Sequence, residues 1–171
     1  GLIGLGNIGR EISSIAAPLD MRHVACDPFA NAQSASEIGV ELLSLEELLK
    51  QSDFVCICCA LTSETHHLLD AERLGMMKSS AYLINVARGG CVDEPALVDA
   101  LSSGAIAGAG IDTTAEEPLA ARSALWDMSN VILTPHTAGE TQVYEENVLD
   151  ILLDNLDRLC RGEMELHNQI I

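Results

Sequence analysis

Gly4-Leu-Gly-Asn-Ile-Gly9 is a G-x-G-x-x-G turn at the start of a chain of 171 residues. In nucleotide-binding α/β folds such a turn joins the first β-strand to the first helix. Its first glycine permits the tight turn, its second lets the backbone approach a pyrophosphate, and its third lets helix and strand pack closely. The phosphates then lie on N–H groups at the helix N-terminus. The turn predicts a nucleotide cofactor, and its position so near a first residue that is not Met leads us to expect the back part of a longer protein.

The segment after the turn has the pattern expected of the first half of such a fold. Residues 7–17 are predicted to form a helix that Pro18 ends, and residues 23–26 a short apolar strand. Asp27 follows that strand and lies 18 residues after Gly9, near the spacing of the acid that binds the adenosine ribose hydroxyls. A carboxylate there would repel a 2′-phosphate, which favours NAD over NADP. The alternative is that Asp27 only begins a turn.

The rest of the chain alternates between strand and helix patterns. A capping box at Ser44 and Glu47 begins a helix that ends at Lys50, and Asp93 caps a helix that runs to Leu101. The other predicted strands lie within an apolar run at 53–60, at 81–86, at 106–111 (broken by Gly108 and Gly110) and at 131–133, and the other predicted helices at 70–77 and 140–161. Repeated β–α units with apolar strands predict an α/β fold with a doubly wound parallel sheet of Rossmann type.

The composition is that of a globular chain. Apolar residues make up 48% and charged residues 20%, and the formal net charge is −17. This strong negative charge argues against nucleic acid or an anionic membrane as the main partner. It does not argue against a small anionic substrate, which needs only local positive charge.

Six cysteines raise the question of a metal site or a disulfide: Cys26, Cys56, Cys58, Cys59, Cys91 and Cys160. Cys56-x-x-Cys59 has the spacing of a redox or zinc motif. In a continuous strand over residues 53–60, however, the two side chains would point to opposite faces and could not share a metal or a bond. We therefore expect no metal site and interpret the cysteines as small apolar core residues of a cytoplasmic protein.

Three side chains that suit acid–base chemistry lie at or just beyond predicted strand ends, where a doubly wound sheet binds its ligands. Arg88 follows strand 81–86 and could bind a carboxylate through two hydrogen bonds. His136 follows strand 131–133 and could exchange a proton near neutral pH. Glu117, in the loop after strand 106–111, could orient that imidazole and favour its charged form. Taken singly, the alternatives are a surface ion-pair arginine, a turn glutamate and a loop histidine.

Taken together, these stretches resemble the nucleotide-binding part of the D-isomer-specific 2-hydroxyacid dehydrogenase family over nearly the whole chain. The matching segments beyond the glycine turn include I-N-V-A-R-G-G at 84–90, A-G-I-D at 109–112, E-P-L at 117–119 and N-V-I-L-T-P-H-T-A-G at 130–139. The resemblance implies an oxidoreductase that transfers a hydride between NAD(H) and a D-2-hydroxy acid or 2-keto acid. Arg88 would bind the substrate carboxylate and help polarise its carbonyl, His136 would be the general acid in keto reduction and the base in reverse, and Glu117 would pair with His136.

The resemblance also implies a cofactor site. Asn7 and Ile8 would donate backbone N–H groups to the pyrophosphate, and Asp27 would bind the ribose. Asp112 would contact the nicotinamide carboxamide, and Ala87 would offer backbone to the same ring. The full set expected at the cofactor is Gly4, Gly6, Asn7, Ile8, Gly9, Asp27, Cys59, Thr65, Val86, Ala87, Asp112 and Ala138.

The chain departs from the family pattern in two places. C-C-A-L-T at 58–62 stands where the family often has His-x-Pro-Leu-Thr, which leaves the detail of the cofactor pocket open. The N-terminal segment that builds most of the family's substrate-binding domain is not in this sequence. We therefore expect residues 1–139 to be the dinucleotide-binding domain and residues 140–171 to be a helix and tail that return toward the substrate domain. The chain alone could bind NAD yet turn over little or nothing.

The resemblance extends to partners. It implies a homodimer formed through the nucleotide domain and a small 2-hydroxy or 2-keto acid substrate, without nucleic acid or membrane. A hypothesis from a different class is an NAD(H)-sensing protein, like the corepressors that resemble this family, without significant turnover. The set of Arg88, Glu117 and His136 does not separate the two, but the acidic chain favours the enzyme. An NADP-preferring reductase is a third hypothesis, against which Asp27 argues.

Overall fold

A computed structural model describes residues 1–169, in which seven strands form one parallel sheet. The strands are β1 (Leu2–Ile3), β2 (His23–Cys26), β3 (Val40–Leu42), β4 (Phe54–Ile57), β5 (Tyr82–Asn85), β6 (Gly108–Ile111) and β7 (Val131–Leu133). Their order is β3-β2-β1-β4-β5-β6-β7, so the chain builds outward from β1 to one edge and then crosses to build the other. This is the doubly wound architecture, and it confirms the predicted Rossmann-type fold.

The α-helices of the fold lie between its strands and after β7, and two of them begin at predicted caps. They are α1 (Asn7–Ala16), α2 (Ala32–Glu37), α3 (Leu45–Gln51), α4 (Ala71–Leu74), α5 (Glu94–Ser103) and α6 (Tyr144–Cys160). The predicted capping box of Ser44 and Glu47 is present at the start of α3. Asp93 caps α5 by accepting a hydrogen bond from the Ala96 N–H, also as predicted. None of the helices within residues 1–169 combines the length and the apolar character needed to cross a membrane.

The core is built on the central strands, which are covered on both faces. Val55, Ile57 and Leu83 are fully buried, and Leu48 and Leu49 of α3 are equally inaccessible. β4 and β5 run in register, with Ile57 paired to Asn85. Because the strands are parallel, all of their carboxyl ends lie on the same side of the sheet. The loops that follow the strands are brought together there.

Several boundaries differ from the sequence-based expectation. Strand 106–111 is not broken by its glycines, because Gly108 and Gly110 both lie within β6. A Cβ at Gly108 would lie 2.6 Å from the Asn130 carbonyl oxygen and 2.9 Å from the Tyr82 ring, so the absence of a side chain permits close packing here. The predicted helix at 70–77 is only the single turn of α4, and α2 and β3 were not predicted from the sequence.

Residues 139–171 form a second compact unit, which the structure describes as far as residue 169. Its helix α6 runs over Tyr144–Cys160, within the predicted 140–161. This helix carries an apolar stripe that is exposed at every position: Val148, Leu149, Leu152, Leu156 and Leu159. The His167 N–H donates to Asn155 Oδ1 at 2.8 Å, which holds part of the tail against α6. The end of the tail, residues 170 and 171, lies outside the described residues.

Candidate active site

The turn after β5 presents Arg88, and a buried asparagine fixes its shape. Asn85, the last residue of β5, is only 1% exposed. Its side chain accepts a hydrogen bond from the Ala87 N–H at 3.1 Å and donates one to the Arg88 carbonyl oxygen at 3.0 Å. The Arg88 side chain is exposed, and its guanidinium donates to the Ala87 carbonyl oxygen at 2.7 Å. Asn85 was not predicted as a site residue, although a polar residue at the end of an apolar strand is the signal that could have identified it.

Gly89 brings the Arg88 turn into backbone contact with the loop that carries Glu117. A Cβ at Gly89 would lie 2.0 Å from the carbonyl carbon and oxygen of Thr114 and 2.5 Å from the Ala115 nitrogen. No side chain can occupy that space unless one of the two loops moves. The loops after β5 and β6 are therefore packed directly on each other. The positive charge of Arg88 contributes to lowering the pKa of Glu117.

Glu117 and His136 form a hydrogen-bonded pair beside this contact. His136 Nδ1 lies 3.0 Å from Glu117 Oε2, and Glu117 Oε1 accepts a hydrogen bond from the Thr114 N–H at 3.2 Å. The hydrogen bond with His136 is the main cause that lowers the pKa of Glu117, with help from the Thr114 N–H and the charge of Arg88. The structure thus pairs Glu117 with His136 and places Arg88 on a loop packed against the loop that carries Glu117.

His136 has a left-handed backbone conformation, with φ of +58°. Such angles are uncommon in residues other than glycine, although Asn, Asp and His adopt them more readily than most. The His136 N–H donates to the Asp112 carbonyl oxygen at 2.9 Å, which ties this strained residue to the end of β6. The conformation turns the chain sharply after β7 and is consistent with a functional position.

Asp112 organises the segment around His136. Its carboxylate is largely buried and accepts hydrogen bonds from the Thr134 hydroxyl, the Thr137 N–H at 2.9 Å and the Ala138 N–H at 3.0 Å. Burial acts to raise the pKa of Asp112, but these hydrogen bonds outweigh it and hold the pKa below its ordinary value. Asp112 and Ala138, both expected at the cofactor, are therefore hydrogen-bonded to each other. The supporting hydrogen bonds from Thr134 and Thr137 were not predicted from the sequence.

A cavity of about 620 Å³ opens beside the His136–Glu117 pair. Its walls combine the polar groups of the site with an apolar surface that includes Leu119, Trp126 and Leu133. The Trp126 ring is held by a hydrogen bond from its Nε1–H to the Ala120 carbonyl oxygen at 3.0 Å. A concave, partly apolar space with a few convergent polar groups is the usual form of a small-molecule site.

The glycine turn has the geometry that a dinucleotide pyrophosphate needs. Gly4 has a φ of +97°, and a Cβ there would lie 2.9 Å from the Cys59 nitrogen. A Cβ at Gly9 would lie 2.3 Å from the Gly4 carbonyl oxygen, whereas a Cβ at Gly6 would meet no atom within 4 Å. The turn is thus packed tightly on its inner side and open at Gly6. α1 begins there without a side-chain cap, which leaves the N–H groups of Asn7 and Ile8 at the N-terminus of α1, where a phosphate binds in such folds.

Asp27 lies at the carboxyl end of β2 and is bound to the same turn. Its Oδ2 accepts a hydrogen bond from the Leu5 N–H at 2.7 Å and its Oδ1 one from the Phe29 N–H at 2.8 Å. Each carboxylate oxygen keeps a further lone pair for a ribose hydroxyl. The residues present therefore fit an adenine dinucleotide, with phosphates at the open side of the turn and a carboxylate beside it.

The remaining residues expected at the cofactor lie on the loops after β4 and β5. Thr65 donates its hydroxyl proton to the Ala60 carbonyl oxygen at 2.6 Å and accepts from the Thr62 N–H at 2.7 Å, so it shapes the loop after β4. Cys59 packs against the core at the start of that loop. Val86 and Ala87 follow β5 directly and precede Arg88.

Strand alternation does not determine the direction of the Cys59 side chain, contrary to the expectation from the sequence. β4 ends at Ile57, so Cys59 lies beyond the strand and its side-chain direction is set by the loop. All six cysteines are free. Within residues 1–169, no cluster of three or more histidine, cysteine or acidic side chains is arranged to hold a metal ion.

Comparison with known proteins identifies the family of this chain. Residues 1–138 match the family model described as D-isomer specific 2-hydroxyacid dehydrogenase, NAD binding domain. This chain belongs to that family. The match covers all of the proposed site residues and confirms the resemblance drawn from the sequence motifs.

Individual family members are similar over nearly the whole chain. A glyoxylate reductase of Pyrococcus furiosus is 41% identical over 164 residues, which are 96% of this chain and 48% of the relative. A D-isomer specific 2-hydroxyacid dehydrogenase of Lactobacillus delbrueckii ssp. bulgaricus, solved in its NAD complexed form, superimposes with a TM-score of 0.86 at 32% identity, over 96% of this chain and 53% of that one. A family member from Xanthobacter autotrophicus Py2, solved with NADPH and MES, gives a TM-score of 0.89 at 35% identity, over 100% of this chain and 69% of that one. This chain spans about half the length of the curated relatives it matches.

Proposed function

We propose that this chain is the cofactor-binding part of an NAD-dependent oxidoreductase that interconverts D-2-hydroxy acids and 2-keto acids. The observation that carries the proposal is the His136–Glu117 pair, 3.0 Å apart, beside the Arg88 turn at the carboxyl edge of the sheet. An imidazole paired with a carboxylate can exchange a proton with an alcohol or ketone, and an exposed guanidinium can bind the acid group next to it. The reductases and dehydrogenases among its relatives support this function over that of a cofactor sensor.

The proton chemistry follows from the geometry of the pair. Because Glu117 is ionised at neutral pH, its Oε2 accepts a hydrogen bond from Nδ1–H of His136. Nε2 is then the nitrogen that exchanges a proton with the substrate oxygen: it donates in keto reduction and accepts in alcohol oxidation. Glu117 stabilises the charged imidazole in either direction, and the Thr114 N–H keeps the glutamate in place.

Arg88 has a separate role at the substrate. Its fork of N–H donors matches a carboxylate and would fix the substrate with its C2 oxygen toward His136. The Asn85 side chain and the contact of Gly89 with Thr114 hold the Arg88 turn before any substrate binds. This preorganisation lowers the entropic cost of bringing acid group, carbonyl and imidazole together. When bound, the nicotinamide supplies or accepts the hydride at C2.

We propose NAD as the cofactor because of Asp27. Its carboxylate, fixed to the glycine turn through the Leu5 N–H, would accept hydrogen bonds from ribose hydroxyls and repel a 2′-phosphate. Gly4, Gly6 and Gly9 would form the turn around the pyrophosphate, with Asn7 and Ile8 as donors. Asp112 and Ala87 are the proposed contacts at the nicotinamide, and Cys59 and Thr65 those on the adenine and nicotinamide-ribose side. Val86 and Ala138 complete the proposed cofactor set.

The organisation of the protein is also part of the proposal. We infer a dinucleotide-binding domain over residues 1–139, a C-terminal segment over residues 140–171 and a homodimer in a cytoplasmic compartment. The exposed apolar stripe of α6 supplies surface for an interface, and six free cysteines fit a reducing compartment. Sedimentation analysis tests the dimer directly.

Titration of the chain with NADH and, separately, NADPH tests the cofactor proposal. We expect saturable binding that favours NADH, detected through cofactor fluorescence. Asp27→Ala should weaken NADH binding and reduce the discrimination against NADPH, whereas Asp20→Ala, at an exposed acid outside the turn, should change neither. Equal affinity of the parent chain for both cofactors would contradict the ribose role of Asp27.

Turnover tests the acid–base proposal in the protein that carries this sequence. With glyoxylate as the probe, His136→Gln should lower the rate of NADH oxidation by a factor on the order of 10² to 10⁴ while NADH affinity stays nearly constant. His167→Gln, at an exposed histidine near the end of the described chain, is the matched control and should be silent. Normal turnover in His136→Gln would overturn the assignment.

A further inference from the structure

Glu94 links the two segments that carry the proposed reactive side chains. It is the first residue of α5 and belongs to the segment that continues from β5 through the Arg88 turn. Its Oε2 accepts a hydrogen bond from the Ala115 N–H at 3.0 Å. Ala115 lies just before Glu117 in the sequence, on the loop that follows β6. One half-buried side chain therefore joins the Arg88 segment to the Glu117 loop.

The Glu117 loop, residues 113–118, has few other fixed points. The Thr114 hydroxyl and the Thr114 N–H donate hydrogen bonds to acceptors within the loop, at 2.8 Å and 3.2 Å. These two bonds hold the shape of the loop rather than its position. Within residues 1–169, only the bond to Glu94 and the pairing of Glu117 with His136 connect the loop to other parts of the chain by hydrogen bonds.

The bond to Glu94 adds direction to a contact that is otherwise made by packing. The absence of a side chain at Gly89 lets the backbone of Thr114 approach the Arg88 turn, but no hydrogen bond accompanies that approach. A hydrogen bond to a carboxylate is charge-assisted and roughly twice as strong as one between neutral groups. Because the backbone of Glu94 belongs to the first turn of α5, its carboxylate holds Ala115 from a regular element of the fold.

We propose that Glu94 is a positioning residue for the reaction, an inference that rests on the proposed function. Its carboxylate holds the Glu117 loop at the Arg88 turn, so that the His136 imidazole faces the C2 oxygen of a substrate whose acid group is bound by the arginine. Without this acceptor the Ala115 N–H turns to water, the loop leaves the turn more often, and Glu117 spends less time on Nδ1 of the imidazole. Small displacements of reacting groups lower rates steeply, so added loop freedom should affect turnover more than stability.

A carboxylate at this position also stabilises α5 itself, which calls for a matched control. Acidic residues in the first turn of a helix interact favourably with the helix dipole. Glu46 is an exposed acid in the first turn of α3 and lies outside the loops of the site. Glu94→Ala and Glu46→Ala should therefore lose similar amounts of stability, and only Glu94→Ala should affect the reaction.

Turnover is measured in the protein that carries this sequence, with glyoxylate as the probe. Glu94→Ala should lower kcat and kcat/KM together by roughly tenfold, because the interaction that it weakens is needed in the transition state. KM for glyoxylate and the affinity for NADH should stay nearly constant. Glu94→Gln keeps an oxygen that can accept from the Ala115 N–H and should recover most of the lost rate. Glu46→Ala should match the parent protein in all of these quantities.

The protonation of the His136 ring gives a readout that does not depend on turnover. The hydrogen bond with Glu117 keeps the proton of the neutral ring on Nδ1, and ¹⁵N chemical shifts distinguish this form from the one protonated at Nε2. The ring signals are identified by their absence from the spectrum of His136→Gln. In alkaline solution the parent chain should show mainly the Nδ1–H form, and Glu94→Ala a larger share of the Nε2–H form. Glu94→Gln and Glu46→Ala should resemble the parent chain.

The possible outcomes separate this inference from the proposed function. Turnover in Glu94→Ala equal to that in Glu46→Ala would overturn the role of Glu94, and so would an unchanged balance of the two His136 ring forms. Loss of rate in Glu94→Gln as large as in Glu94→Ala would overturn the hydrogen bond as the cause. A shift of the ring forms in a protein that reduces no 2-keto acid would support the positioning by Glu94 and count against the proposed function.

Discussion

Replacement of Asp112 by asparagine tests whether its carboxylate holds the His136 segment in place. Oδ1 accepts from the Thr134 hydroxyl and the Thr137 N–H, and Oδ2 accepts from the Ala138 N–H. An amide has only one oxygen, and its nitrogen donates rather than accepts. In either orientation, at least one backbone N–H faces another donor. The lost charge-assisted bond and the unpaired donor should lower the free energy of unfolding by about 2 kcal/mol, or ~4–8 °C in Tm for a chain of this size.

Urea unfolding followed by the fluorescence of Trp126, the only tryptophan, reports on the unit that contains Asp112. Asp93→Asn is the matched control. The Asp93 side chain accepts only the Ala96 N–H, and asparagine caps a helix as well as aspartate does, so this variant should stay within about 0.5 kcal/mol of the parent chain. The reasoning is refuted if Asp112→Asn loses no more stability than Asp93→Asn.

The pH dependence of the same variant supplies a second check. The pKa of Asp112 is lowered in the folded chain, so its stabilising contribution is complete above the unfolded pKa of about 3.9 and is lost as the pH falls through the folded value. The stability difference between Asp112→Asn and the parent chain should therefore be constant above about pH 5 and shrink below about pH 4. A difference that persists unchanged in acid would show that the carboxylate charge is not the cause.

Three further predictions concern packing, capping and the ion pair. Gly89→Ala places a Cβ 2.0 Å from neighbouring backbone and should destabilise by at least about 2 kcal/mol in urea unfolding, whereas at Gly110 a Cβ meets only Ile84 Cγ1, at an ordinary contact distance of 3.8 Å, and Gly110→Ala should be tolerated. Asn31→Ala removes the cap of α2 and should cost about 1 kcal/mol in the same assay, and Asn31→Asp should restore it. The hydrogen bond with His136 lowers the pKa of Glu117, so the stabilisation from this pair is present above pH ~4.3 and is lost as the pH falls through the folded pKa. Glu117→Gln should flatten the dependence of stability on pH in that window, by no more than about 0.5 kcal/mol because both side chains are solvated.

The parts of the fold that could be predicted are those determined by patterns among residues close together in the sequence. The glycine turn, the strand of residues 23–26 and the capping box at Ser44 each depend on neighbours a few residues away. Arg88, Glu117 and His136 could be grouped from the sequence alone, because each follows a strand and the carboxyl ends of parallel strands share one edge. The pairing of Glu117 with His136 was suggested by their residue types, and the family resemblance implied it more specifically.

The features that could not be predicted depend on long-range packing. Gly108 weakens a strand by its local propensity, yet it belongs to β6 because the Asn130 carbonyl and the Tyr82 ring leave no room for a side chain. α2 is only six residues long and has little apolar periodicity, so its Asn31 cap is the main local sign of it. The end of β4 at Ile57, which leaves Cys59 outside the strand, is not marked within the apolar run at 53–60.

The left-handed backbone of His136 has a consequence for how substitutions at this position would be tolerated. A residue there must satisfy two separate demands: a φ of +58° and a titratable ring. Asparagine tolerates the positive φ but lacks the titratable ring. Valine also lacks the ring, and its branched side chain disfavours positive φ. A saturation library at position 136, scored in parallel for solubility and for turnover, would therefore separate backbone tolerance from chemistry. Only histidine itself should rank high on both scales.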